Sequence, residues 1–176
     1  MKSSTIYKNA YSDETIYITD TSTVNFADTT KYIWNGGTKT ILVNAAMVNT
    51  SYFRLPEATT SNAGLKVRFV YGLAPAAAHY VGFVTSVIVG GASTVGAATE
   101  GNAPTDAAMV SSASGTSNLR VELDVNAAAK AGGHPGSILD FWYTGVANVV
   151  FYRGMLHADV DDSTLATHFV TTAVNA

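Results

Sequence analysis

The sequence predicts an all-β fold: a single-domain antiparallel β-sandwich or barrel-like domain of about ten short strands. Three observations carry this. Runs such as Leu119-Arg120-Val121-Glu122-Leu123-Asp124-Val125 alternate apolar and charged residues with period two. Turn residues separate these runs, and helical periodicity is almost absent. The length, 176 residues, fits one domain able to bury about two thirds of its unfolded surface.

The segment 1–11 is polar, with Ile6, Tyr7 and Tyr11 as its anchors, and reads as an amino-terminal arm ahead of a domain spanning 12–176. Those three side chains are candidate partner contacts: an arm of this kind gains order by laying them on a neighbouring subunit or shell. Thr15–Thr19 is the first strand. Lys31–Trp34 and Lys39–Val43 bracket Asn35-Gly36-Gly37, the pattern of a tight hairpin.

The central stretch is Ser51–Gly72. Tyr52–Leu55 forms a strand that stops at Pro56, and Asn62-Ala63-Gly64 supplies residues that tolerate positive φ. Leu65, Val67, Phe69 and Tyr71 then alternate with Lys66, Arg68 and Val70, the pattern of a half-buried strand in an antiparallel sheet. His79–Val89 is the longest β run, with a bulge or bend expected at Gly82. Gly90–Gly115 is rich in small residues and reads as a long loop, with a short helix near Pro104–Met109.

Leu119–Val125 follows as the plainest strand, then one helical turn at Asn126–Lys130. Ile138–Tyr143 and Val149–Arg153 flank the five-residue loop Thr144–Asn148 and predict a hairpin. Asp159–Ser163 is an acidic turn, and Thr167–Thr171 the last strand. No repeat of fixed period is read from the sequence.

Composition excludes several classes of function. With no cysteine there is no thiol chemistry, thiolate metal site or disulfide. The net charge of −3, with ten scattered Lys and Arg, gives no basic stripe for nucleic acid. No secretory signal is read at the amino terminus, and the most apolar window, His79–Ala92, is shorter than the roughly 20 residues that cross a bilayer. No membrane partner is expected. Charged residues make up only 13% of the chain against a usual figure near 25%, so Ser, Thr, Asn and Ala must cover much of the surface. Such a surface favours contact with other subunits over isolation.

Candidate chemistry is sparse. Asp159, Asp161 and Asp162 offer oxygen ligands without the spacing of a calcium loop. His79, His134, His157 and His168 are too far apart in sequence to form a ligand pair. Ser111–Gly115 does not make a nucleophile elbow, and nothing in the sequence brings any two of Glu57, Glu100, Glu122 and Asp140 together as an acid/base pair. Neither a catalytic site nor a cofactor is expected. Trp34, Trp142, Tyr143, Phe151 and Tyr152 sit on predicted strands, where core packing with one exposed platform is the plain expectation and a sugar-stacking surface the alternative.

Phe53-Arg54-Leu55-Pro56-Glu57-Ala58-Thr59-Thr60-Ser61-Asn62-Ala63-Gly64-Leu65-Lys66-Val67-Arg68-Phe69-Val70 resembles a unit of structural proteins from tailed phages and related viruses. In that unit a strand ending in Leu-Pro leads through an Asn-Ala-Gly loop into a strand of the Phe-Val type. Gly136–Tyr143 with Ala147–Gly154 is similar to the hairpin that closes such domains, except that its second strand begins Asn148-Val149 where the family usually has Asn-Trp. The two segments cover about a quarter of the chain. The resemblance implies a non-enzymatic virion surface protein. Lacking heptads or repeats for a fibre shaft, the chain fits a head decoration (cement) protein that binds the major capsid protein from outside, as a homotrimer. The alternative is a receptor- or carbohydrate-binding domain of a fibre or spike.

Overall fold

The computed structural model describes residues 14–19, 23–34, 36–97, 108–111, 118–123, 133–158 and 169–170, with 90–97, 108–111, 158 and 169–170 described as backbone. Twelve strands lie in two facing sheets: β1 (Glu14–Ile18), β2 (Val24–Asn25), β3 (Thr38–Val43), β4 (Ser51–Arg54), β5 (Lys66–Tyr71), β6 (His79–Gly82), β7 (Val87–Ala97), β8 (Ala108–Ser111), β9 (Arg120–Leu123), β10 (Ile138–Tyr143), β11 (Val149–Ala158) and β12 (Phe169–Val170). The larger sheet runs β1-β3-β5-β10-β11-β7-β8 and the smaller β12-β9-β6-β4-β2.

All-β character and the layered core follow expectation, but the sheets are mixed, not purely antiparallel. From β1 to β6 the chain passes from one sheet to the other at every strand, and each strand pairs in parallel with the next one in its own sheet. In the last two turns of this winding the step is 28 residues: Thr38 lies opposite Lys66, and Ser51 opposite His79. The sequence hides the repeat because only polarity recurs. Ile41 is followed by Phe69, Val43 by Tyr71, Phe53 by Val81 and Leu55 by Phe83, all buried. Large residues in one turn face smaller ones in the next, as close packing requires. Tyr52 and Tyr80 are an exception, identical and stacked with centroids 5.0 Å apart.

The hairpin expected around Asn35-Gly36-Gly37 does not form. Lys31–Trp34 is not a strand; Tyr32 and Trp34 instead pack on Phe26, and the Trp34 indole N–H donates to the Phe26 carbonyl at 2.6 Å. Gly36 and Gly37, at φ 94° and 74°, turn the chain into β3, which pairs in parallel on both sides. Burial of two large rings outweighed a local turn preference.

β5 is accordingly flanked by parallel β3 and antiparallel β10. The run at 79–89 is two strands, β6 and β7, divided by the crossing 83–86 from the smaller sheet to the larger. Gly82 is required where it is, since a Cβ there would collide with the Leu119 carbonyl and the Arg120 backbone. The stretch read as a long loop contains the second half of β7 and all of β8, and Ala108 and Met109 are strand residues, not helix. Ladder hydrogen bonds suffice to hold small residues in a strand between neighbours.

The β10–β11 hairpin forms as predicted, with six register pairs from Ile138–Met155 to Tyr143–Val150 and a turn using Gly145 and Asn148 at positive φ. Strands also form at Glu14–Ile18, which overlaps the expected run Thr15–Thr19, and at Arg120–Leu123 and Phe169–Val170, within the expected runs. The arm, the 126–130 turn and the acidic turn 159–163 lie outside the described residues. The core between the sheets is aromatic: Phe53 stacks on Phe69 at 6.0 Å, and Phe69, Phe83 and Tyr152 surround Phe141.

Candidate interaction surface

The Leu-Pro to Asn-Ala-Gly stretch is the joint of the molecule. Asn62, buried, accepts the Thr59 N–H through Oδ1 at 2.9 Å and donates through Nδ2 to the Glu57 carbonyl at 2.9 Å, closing a single 3-10 turn at Thr60–Asn62. Gly64, at φ 81°, donates to the Tyr143 carbonyl at 2.8 Å, and the Tyr143 hydroxyl donates to the Pro56 carbonyl at 3.0 Å. The Glu57 carboxylate accepts the backbone N–H groups of Val84, Thr85 and Ser86 at 2.9, 3.2 and 2.7 Å, and the Thr85 hydroxyl at 2.9 Å. Burial pushes this carboxyl up, but the hydrogen bonds from Ser86, Val84 and Thr85 outweigh burial and hold it below the usual value. Glu57 thus ties the β4–β5 crossing to the β6–β7 crossing. Its oxygens are engaged by structure.

A second polar connection spans the sheets. The Ser51 hydroxyl and His79 Nδ1 are 2.8 Å apart, and His79 Nε2 is 3.0 Å from the Tyr71 hydroxyl, all three buried. Burial pushes the His79 pKa down to about 3, so the ring is neutral, and pushes the Tyr71 hydroxyl well up, with Tyr152 adding to it. A serine beside a histidine invites a nucleophilic reading. Full enclosure denies it a substrate.

The outer face of the larger sheet differs in kind. Strand register aligns its outward side chains into three rows across β1, β3, β5, β10 and β11. Tyr17, Leu42, Val70, Ile138 and Met155 form an apolar row; Thr15, Thr40, Arg68, Asp140 and Arg153 a polar one. The third row, from β3 to β7, is Thr38, Lys66, Trp142, Phe151 and Val89. Tyr17, Trp142, Phe151 and Met155, at 64, 38, 41 and 48% exposure, are half of the large hydrophobic side chains exposed among the described residues. Concentration on one face distinguishes this from scattered surface apolarity.

Arg68 grips Asp140 with both nitrogens of a fork, Nε to Oδ1 at 2.7 Å and Nη2 to Oδ2 at 2.8 Å, which raises the guanidinium pKa. Lys66 stands 3.6 Å from the same Oδ2 and 5.3 Å from the Trp142 ring centroid. Arg153, opposite Asp140 on β11, makes no ion pair among the described residues. It borders a 190 Å³ cleft with Arg68, Ile138, Asp140, Gly154 and Met155. A cleft of 370 Å³ lies elsewhere, against Trp34, Arg54, Glu57, Thr59 and Asn62.

The sequence-predicted residues divide accordingly. Of the five aromatics, Trp34, Tyr143 and Tyr152 are core, while Trp142 and Phe151 stand side by side on the outer face. The described acids do not converge: Glu57 sits in the joint, Asp140 on the outer face of the larger sheet, and Glu122 in the smaller sheet beside Tyr80, whose hydroxyl pKa is raised by burial and then by Glu122. No group of three or more His, Asp or Glu capable of holding a metal occurs among the described residues. His134 and His157 meet only through their backbones, at 3.2 Å. Ile6, Tyr7, Tyr11, Glu100, Asp159, Asp161, Asp162 and His168 lie outside the described residues. Arg153, Tyr17 and Met155 were missed by sequence reasoning, although period-two alternation marks each as opposite in facing to its buried neighbours. Residues 53–70 and 136–154 are packed together through β5 and β10. No family model, no curated protein and no solved structure matches the chain.

Proposed function

We propose that the chain is a non-enzymatic structural subunit of a virion, a capsid decoration protein that binds the outer surface of the head as a homotrimer. The observation that carries this reading is the outer face of the larger sheet, where an apolar row and an aromatic row flank a row with surplus cations. Water-exposed rings and aliphatics in register across five strands form a surface for protein contact. The described polar clusters are used in architecture, as at Glu57 and His79. The resemblance of residues 53–70 and 136–154 to phage structural proteins supplies the virion setting.

Electron microscopy of the parent particle tests the proposal: density of this fold in threes on the shell is expected, and a shell without it overturns the assignment. Sedimentation of the purified chain tests assembly separately, and a monomer at micromolar concentration counts against the trimer. A second reading, a glycan-binding domain of a fibre or spike, is favoured by one observation, the adjacent exposed rings of Trp142 and Phe151. Specific signal on a glycan array, lost in Trp142→Ala, would select it over decoration.

A further inference from the structure

The three rows of the larger sheet's outer face say what can dock there. Lys66, Arg68 and Arg153 against Asp140 leave two positive charges in excess on the face, whereas the whole chain carries −3, so the rest of the chain carries −5. Both oxygens of Asp140 are already taken by Arg68, and Lys66 adds to one of them. Among the described residues Arg153 therefore has no carboxylate paired with it, and it stands at the mouth of a 190 Å³ cleft whose other walls include the apolar Ile138 and Met155. That cleft fits a carboxylate side chain arriving on an apolar surface.

Two copies meeting through this same face would bring together two surfaces that each carry two positive charges in excess, and this repulsion disfavours the pair. The other residues carry a net negative charge, so a copy that offers a different, acidic part of its surface avoids that repulsion. We propose that the outer face of the larger sheet binds a second copy of this chain head to tail, with an acidic side chain of that copy seated at Arg153. The proposal rests on the self-association in the functional reading above and adds its geometry. A head-to-tail contact uses two different surfaces on each subunit; with a rotation of about 120° between copies it closes into a threefold ring, which is the trimer, and other rotations give other rings or open filaments. Five strands about 4.8 Å apart and three rows about 7 Å apart give a face of about 500 Å², well below the roughly 800 Å² per partner in an ordinary stable interface. One contact alone is weak; ring closure, in which each subunit is held twice, makes it cooperative.

Sedimentation equilibrium of the full chain up to about 100 µM, at about 0.05 and 0.5 M NaCl, tests this. The expected result is association that weakens about tenfold or more between the two salt conditions, and about tenfold or more in R153E at low salt. Met155→Ser should weaken association similarly without changing its salt dependence. Both variants should melt at the wild-type temperature when dilute, showing that the face and not the fold was altered. Because the chain has no cysteine, Met155→Cys adds a clean probe. Oxidation of this variant should give no enrichment of disulfide-linked dimer over dilute controls, whereas rapid, complete dimer formation would mean a face-to-face pair and overturn the head-to-tail geometry. A trimer unchanged by both R153E and M155S overturns this inference while leaving self-association standing. A wild-type chain that is monomeric throughout overturns both.

Discussion

The joint between the sheets and the outer face of the larger sheet both contain polar side chains fixed on neighbouring strands, yet their accounts close differently. In the joint every principal donor meets an acceptor: Glu57 receives three backbone N–H groups and a hydroxyl, and His79 sits between Ser51 and Tyr71. On the outer face Arg68 and Lys66 share one carboxylate, Arg153 has no ion pair among the described residues, and rings remain in water. A closed network rigidifies a fold, while an open one leaves interaction capacity for something outside it. Interior changes should therefore cost stability irrespective of salt. Outer-face changes should alter association, in a salt-dependent way.

Acid titration gives the largest expected effect. His79 is held neutral with a pKa near 3 against an ordinary 6.5, so below pH 6.5 the unfolded chain binds a proton that the folded one refuses. Stability is complete above 6.5 and falls by up to about 1.4 kcal/mol per pH unit toward 3, for a total of about 4 to 5 kcal/mol. Glu57 adds to the loss at the lower end, because a carboxyl depressed on folding stabilises above its unfolded pKa and ceases to do so as pH falls through its folded one. Denaturant melts from pH 7.5 to 3.5 check this. His79→Leu should be less stable than wild type at neutral pH by about 2 to 4 kcal/mol, having left two buried hydroxyls without a partner, and should show a flatter profile between pH 6.5 and 4. A wild-type profile flat over that interval would show that His79 is not enclosed.

Next in size is Glu57→Ala, which strands the N–H groups of Val84, Thr85 and Ser86. A loss of about 2 to 3 kcal/mol is expected in urea melts, nearly the same at low and high salt, with Glu57→Gln recovering part of it. Asp140→Ala sharpens the contrast by moving two observables in opposite directions. Thermal stability should fall by about 1 to 2 kcal/mol, more at low salt where Lys66, Arg68 and Arg153 repel, while self-association tightens because the face becomes more positive. The smallest effect belongs to Trp142→Ser: a stability change within about 0.5 kcal/mol, since the ring is exposed, alongside weaker association by sedimentation. A large drop in melting temperature for this variant would place Trp142 with the core.

What the sequence disclosed follows the reach of its signals. Alternation found the faces of β5 and β9 and the β10–β11 hairpin, because each depends on residues two apart or on a short turn. It misread Lys31–Trp34 as a hairpin arm because Tyr32 and Trp34 have strand propensity, and only Phe26, brought in by the fold, tells their rings to pack instead. Parallel pairing was invisible: Thr38 and Lys66 are neighbours only once the chain has crossed the gap between sheets twice. For the candidate surface, Lys66 and Arg68 were read as outward, but the sequence does not say that Asp140 would saturate on them and leave Arg153 over. The expectation of association rests on the low overall charge, through a physical argument about solvation and not through any motif.

The order of strands in the larger sheet has a consequence for synthesis. β5 and β7 follow one another in chain order within that sheet, yet β10 and β11 stand between them. As the chain leaves the ribosome, the wound segment through β6 can begin to stack, but β5 keeps an unpaired edge until residue 143 has emerged, and β7 lacks its long parallel neighbour until residue 158 has. The hairpin, with its five-residue loop, then closes within microseconds and enters a slot already flanked on both sides. Completion of the sheet therefore waits until residues 138–158 have emerged. Until it occurs, two open strand edges face solvent, which makes the nascent chain a natural client for factors that shield such edges.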